Sequence, residues 1–177
     1  VDLGGRRAIK KSGDLVGMVV AEYLKADAVV VPISCNDAVD RGNHSSVVEA
    51  KTRIGSPFVI AGMEEARRKG KDRVCGWEPN GGFLTGSDIE RNGVVLSALL
   101  TRDAILPILG VLFAASDSGL NLIDLFDRLP KRFSRAALLE DFSRSLGLKI
   151  VAFFSAGATA QKLLAKFFTQ EMGFGTI

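Results

Sequence analysis

The stretch Trp77-Glu78-Pro79-Asn80-Gly81-Gly82-Phe83 sets a carboxylate and a side-chain amide two residues apart, on a segment whose paired glycines let the backbone turn sharply and approach a ligand closely. Glu78 brings acceptor oxygens and Asn80 brings an acceptor and donors, so together they can hydrogen-bond neighbouring hydroxyls of a sugar, with Trp77 or Phe83 available for stacking. The same spacing also describes a tight turn between two strands with Glu78 facing solvent. A second constellation is Lys51-Thr52-Arg53-Ile54-Gly55-Ser56-Pro57, where two cations and a hydroxyl immediately precede a helix. Free N–H groups and the positive end of the helix dipole favour phosphate there, although an N-cap flanked by two solvated cations is the commoner arrangement. The spacing is not that of a P-loop, so nucleotide hydrolysis is not supported. Leu100-Thr101-Arg102-Asp103 at a helix start and Ser34-Cys35-Asn36-Asp37 after a strand are lesser candidates.

Other chemistries are disfavoured by what is missing. His44 is the one histidine, and no Gly-x-Ser-x-Gly elbow accompanies it, which argues against a serine hydrolase. Cys35 and Cys75 lie far apart with no Cys-x-x-Cys spacing, which argues against zinc and for reduced structural thiols in a cytoplasmic protein. A glycosidase pair would have to come from Glu78 and Asp88, and nothing in their spacing makes them converge. With 23 Lys and Arg against 20 Asp and Glu, the net charge of +3 is too small and dispersed to imply nucleic acid. The most apolar run, Ala104 to Ala115, is broken by Pro107 and is too short to span a membrane, so it is expected to be a buried helix. No signal-peptide layout precedes it.

The elements that must position these residues alternate. Asp14 is placed to cap a helix running through Leu15, Met18, Val19, Val20, Tyr23 and Leu24. Strands are expected at Ala28 to Ile33, where the valines are apolar on both faces, at Ser46 to Thr52 and at Arg73 to Trp77. A helix with proline in its first turn follows from about Phe58 to Lys69, and Thr101 or Asp103 caps the helix from Ala104. A short helix is expected at Leu120 to Leu129, then helical segments at Ser134 to Phe142 and Thr159 to Met172, and a strand opening at Gly173 to Ile177. Hydrophobic residues at 47% and charged residues at 24% suit a soluble core-forming chain, and the alternation implies a layered α/β/α domain with a mixed sheet. A partial α+β C-terminal domain follows the basic linker after Pro130.

Three ordered stretches, Thr52-Arg53-Ile54-Gly55-Ser56-Pro57-Phe58-Val59-Ile60, Gly76-Trp77-Glu78-Pro79-Asn80-Gly81-Gly82-Phe83-Leu84 and Thr101-Arg102-Asp103-Ala104, resemble the α-D-phosphohexomutase superfamily in its bacterial phosphomannomutase-like branch. The resemblance implies a four-domain enzyme whose third domain grips sugar hydroxyls through a Gly-Glu-x-Ser/Asn-Gly loop, matched here by Glu78 and Asn80. On that basis residues 1–12 are the end of a preceding domain or a linker, 13–130 the third domain, and 131–177 a linker and the incomplete start of the fourth. The phosphoserine, the Asp-Gly-Asp-x-Asp-Arg magnesium loop and the phosphate clamp of the family do not occur in this sequence, so the chain alone is expected to be inactive and to bind no magnesium. Many relatives carry histidines where this chain has Ser56 and Gly82, and their acid/base roles do not transfer. The resemblance implies a part of an isomerase interconverting hexose 1-phosphate and 6-phosphate, with substrate contacts from Glu78, Asn80, Gly81, Arg53 and Ser56. Its partners would be mannose or glucose phosphates and the other domains of the enzyme, with no nucleic acid and no membrane. The alternative is a non-catalytic sugar-phosphate or protein-interaction module that keeps the fold.

Overall fold

The computed structural model describes residues 13–43, 45–132 and 141–155, with single positions at 157 and 162. His44, the N-terminal segment, the strand expected at Gly173 to Ile177, and nearly all of the helices expected at Ser134 to Phe142 and Thr159 to Met172 lie outside those residues. The chain divides into two units, Val1–Ser134 and Arg135–Ile177.

The first unit runs α1 (Gly13–Tyr23), β1 (Ala28–Val30), a 3-10 turn (Ser45–Val47), α2 (Ser56–Arg68), β2 (Val74–Trp77), β3 (Phe83–Thr85), β4 (Ile89–Arg91), β5 (Val94–Leu96), β6 (Leu99–Asp103), α3 (Ile105–Ser118) and α4 (Leu122–Asp127). The main sheet has the order β1-β2-β3-β6. It is mixed, because β1 and β2 run parallel while β2–β3 and β3–β6 are antiparallel. The layered α/β/α class read from the alternation of elements is the architecture observed.

Residues in a strand point alternately to its two faces, and the two cores follow that rule. Val29, Val31, Cys75, Trp77 and Phe83 join Met18 and Val20 of α1 and Val111 and Ala115 of α3. Val30, Val74 and Leu84 join Val59, Met63 and Ala66 of α2 on the opposite face. A sheet covered on both sides needs strands apolar throughout, and that is why Val29-Val30-Val31 has no polar member. Trp77 stacks on Phe83 with ring centroids 6.1 Å apart and planes 5° from parallel. Position 17 of α1 lies so close to this pair that a Cβ there would come within 2.4 Å of the Trp77 indole, so only glycine lets the helix seat. Gly76 has the same role on the other face, where a Cβ would fall 2.6 Å from the Val30 carbonyl and 2.8 Å from Val59.

Several expectations are corrected. Asp14 does not cap α1 from outside; it is a buried member of the first turn, and its Oδ2 accepts a hydrogen bond from the Asn36 backbone N–H at 3.1 Å. Its second oxygen is buried with no partner among the described residues. Ser46 to Thr52 is no regular strand. It opens in a 3-10 turn and meets β1 and the residues after it in two isolated bridges, Val29–Val48 and Pro32–Thr52. The β1 strand is shorter than expected because Pro32 has no N–H with which to extend the ladder.

The helix starting near Ala104 is not buried. Its inward side is Pro107, Gly110, Val111 and Ala115, small residues that pack close to Val20, while Ile105 and Ile108 are 63% and 57% exposed. Apolar character all round a helix argues for burial on all sides, but this unit supplies a layer on one side only. Thr101 and Asp103 lie on β6 rather than in a cap, yet Asp103 still accepts from the N–H groups of Ile105 and Leu106 at 2.7 and 3.0 Å. Asn121 caps α4 by accepting from the Asp124 N–H at 3.0 Å.

The β4–β5 hairpin, β6 and the helix of the second unit were not anticipated. The β4–β5 hairpin turns at Asn92 and Gly93, both at positive φ, the pair of conformations that an Asn-Gly two-residue turn favours. In the second unit, α5 (Arg144–Ser155) is the one helix bounded among the described residues. Asp141 and Phe142, the last residues of the helix expected from Ser134, are not helical. No helix among the described residues is long and apolar enough to cross a membrane.

Cys35 and Cys75 are free and buried, and desolvation pushes both thiols above their ordinary value of 9.0. Two outcomes follow. Gly17→Ala would stabilise an exposed helix by about 0.5–1 kcal/mol. Here the clash with an indole that cannot retreat dominates at about 1–3 kcal/mol, so chemical denaturation should show a net loss of roughly 1–2 kcal/mol. The thiols should resist alkylation at pH 8 in the folded protein and react once it is unfolded. Because the unfolded chain loses those protons first, folding stability should decline as pH rises past the ordinary thiol value.

Candidate functional site

Strand alternation places Glu78. Trp77 ends β2 pointing into the α1 side of the sheet, so the next side chain emerges on the α2 side, where the first turn of that helix stands. The chain then reverses: Gly81 N–H donates to the Glu78 carbonyl at 2.9 Å, and Glu78 N–H donates to the Gly82 carbonyl at 3.0 Å. Pro79 and Asn80 occupy the centre of this turn, and Gly81 follows at φ +95°, a conformation that strains any other residue. Asn80 Oδ1 accepts from the Gly82 N–H at 3.0 Å, so the amide carbonyl builds the turn while the exposed side chain keeps its NH2 group for other partners. The start of α1 braces the loop from below. A Cβ at Gly13 would lie 2.4 Å from Gly81 N and 2.5 Å from the Pro79 carbonyl oxygen.

The carboxylate is held on the α2 side. Ser56, the first residue of α2, donates its hydroxyl to Glu78 Oε2 at 2.8 Å. The N-cap of that helix is Gly55 at φ +124°, with no side-chain capping bond, which leaves the Ser56 hydroxyl to serve Glu78 instead. Arg102 brings Nε to 3.9 Å from the same Oε2, and the Glu78 side chain is only 8% exposed. The carboxylate thus sits between a hydroxyl donor, a helix N-terminus and a guanidinium, an environment that suits negative charge.

Of the residues singled out from sequence, Glu78 and Ser56 are in direct contact, with Asn80 and Gly81 on the adjoining turn. Arg53 is not drawn in. Its exposed guanidinium lies over the Phe58 ring, 5.7 Å from the centroid. Lys51 pairs with Asp40 at 2.6 Å, and the Thr52 hydroxyl donates to the Arg53 carbonyl at 2.9 Å, so the basic cluster before α2 is largely engaged in structure. Trp77 and Phe83 are fully buried, which corrects the expectation that either could stack on a sugar. The stretch after β1 is also structural, with Cys35 and Asn36 buried and Asp37 paired to Arg41 and Arg132.

From sequence, Gly82 entered only as a hinge of the glycine-rich turn and Arg102 only in a separate, lesser candidate at a helix start. Phe83 pairs with Asp103, so positions 82 and 102 are diagonal neighbours across β3 and β6. A Cβ on residue 82 would fall 2.6 Å from Arg102 Cδ. Recognising β6 as a strand from Leu99-Leu100-Thr101 would have brought the two together. No three His, Cys, Asp or Glu side chains among the described residues cluster as metal ligands.

The sequence profile of the phosphoglucomutase/phosphomannomutase alpha/beta/alpha domain III matches residues 12–133. A phosphomannomutase of Salmonella muenchen is 38% identical over 162 residues, covering 92% of this chain and 32% of that protein. A phosphomannomutase of Sinorhizobium fredii is 41% identical over 146 residues, covering 81% of this chain and 30% of that protein. A solved structure named as a phosphomannomutase from Thermus thermophilus aligns over 66% of this chain and 24% of its own, at 21% identity and a TM-score of 0.49. The chain therefore spans about a third of the length of the curated relatives it matches. With the Glu78 turn, the α2 N-terminus and the mixed sheet all inside the matched segment, the chain belongs to the phosphoglucomutase/phosphomannomutase family, of which it contains the third domain.

Proposed function

We propose that this chain supplies the sugar-binding part of a phosphomannomutase-like isomerase that interconverts hexose 1-phosphate and hexose 6-phosphate in the cytoplasm. The observation that carries the reading is the carboxylate of Glu78, fixed by the Ser56 hydroxyl at 2.8 Å and set beside a turn that exposes the Asn80 amide. A fixed acceptor next to a donor suits two adjacent ring hydroxyls. Such a grip serves an enzyme that must hold one sugar in two poses, because hydroxyls near the middle of the ring can be bound in either while the phosphate-bearing ends exchange places.

Ser56 contributes through Glu78. Gly81 contributes by shaping the turn, and Arg53, held over the Phe58 ring, would reach a phosphate only by leaving that ring. The phosphoryl donor, the magnesium ligands and the main phosphate clamp belong, in this reading, to other domains of the enzyme.

A neutral hydrogen bond from Asn80 contributes about 1 kcal/mol and one to the carboxylate about 1.5–3 kcal/mol. Their sum corresponds to binding on the order of millimolar. Titrating the 15N-labelled chain with mannose 1-phosphate should therefore shift the amides of Glu78 to Gly82 with millimolar saturation, and no movement there would overturn the reading. Glu78→Gln should weaken that binding about tenfold. Ser56→Ala should weaken it several-fold while changing folding stability by only about 1 kcal/mol, since it removes one hydrogen bond from a carboxylate that keeps Arg102 nearby.

A further inference from the structure

The side chain of Arg102 is placed by three features that a surface ion pair does not require. Its aliphatic stem crosses the space above Gly82, with Cδ and Cγ 2.6 and 2.8 Å from where a Cβ would stand, so the glycine is what admits it. Its backbone is fixed, because the next residue, Asp103, pairs with Phe83 and satisfies the first N–H groups of α3. Its guanidinium is left largely unengaged: the closest partner is Glu78 Oε2 at 3.9 Å, beyond hydrogen-bond length, and the side chain is 58% exposed. An exposed pair at that separation adds little to stability. Most of the five N–H donors of the fork are therefore left for an added partner.

We propose that Arg102 is a further ligand-binding residue of this site, its guanidinium contacting an anionic group of a sugar phosphate whose hydroxyls lie at Glu78 and Asn80. The inference rests on the sugar-binding reading above. A carboxylate beside a ligand repels the ligand's own negative charge, and a cation 3.9 Å from that carboxylate offsets the repulsion. A guanidinium also matches phosphate oxygens in a two-pronged geometry that a lysine ammonium cannot reproduce.

The test compares mannose, mannose 1-phosphate and inorganic phosphate as titrants of the labelled chain, followed at the amides of Glu78 to Gly82. The wild-type chain should prefer mannose 1-phosphate to mannose by about tenfold, the difference that one charge-assisted contact makes. Arg102→Gln should abolish that preference while retaining a response to mannose, Arg102→Lys should keep part of the preference, and Gly82→Ala, which displaces the stem, should resemble Arg102→Gln. Shifts with inorganic phosphate alone at the same amides would identify a free-phosphate site with no sugar requirement and would overturn the proposal. Arg102→Gln retaining the full preference would overturn it while leaving the sugar-binding reading intact. Loss of the mannose response together with the preference would reduce Arg102 to a residue that merely positions Glu78. A wild-type chain silent to both sugars would sink the two readings at once. Arg102 is exposed enough that its substitution leaves folding unharmed, so a null result cannot be assigned to misfolding.

Discussion

The alternation of side chains at the end of β2 is the constraint on which the site depends. Trp77 is committed to the α1 face, where it is buried against Gly17 and stacked on Phe83, and it cannot turn without opening the larger of the two cores. With position 77 fixed, position 78 must emerge on the α2 face. A carboxylate that would be costly to bury alone is accepted there because a hydroxyl, a helix N-terminus and a guanidinium already stand around it. The indole and the carboxylate are successive residues with opposite roles, one holding the fold and the other available to a ligand.

Close backbone approach, more than side-chain chemistry, lets these parts meet. Gly13 and Gly17 bring α1 against the turn and the indole, Gly76 brings α2 against β2, and Gly82 lets an arginine stem lie across the loop. At Gly76 the layer that a Cβ would push away is α2, whose first residue, Ser56, holds Glu78. The buried Asp14 belongs to the same arrangement, since its contact with the Asn36 N–H ties the first turn of α1 to the chain leaving β1.

Much of this could be read from residue order. The two-faced valine run, the proline in the first turn of α2 and the glycine-rich turn after β2 each carry a local signal, and each element formed where that signal lay. What escaped was non-local. Asp14 looked like a cap because its type favours caps, but the tertiary contact with Asn36 took the carboxylate inward. The strand at Leu99–Asp103 was hidden by the helix start that follows it, and with it went the diagonal neighbourhood of Gly82 and Arg102. Trp77 and Phe83 look alike as stacking platforms or as core, and only the register of β2 with β3 decides for core. The apolar helix from Ile105 shows the converse: its composition overstated burial because only small residues face Val20.

The central claim is geometric, that Glu78 and Asn80 meet adjacent hydroxyls of one sugar ring. A crystal structure of the chain soaked with mannose 1-phosphate tests it most directly. The account predicts ring hydroxyls within hydrogen-bond distance of the Glu78 carboxylate and the Asn80 amide, with the turn and the Ser56 contact undisturbed. A sugar bound elsewhere on the domain, or a Glu78 that stays wholly enclosed by Ser56 and Arg102 while the ring sits apart from it, would contradict it.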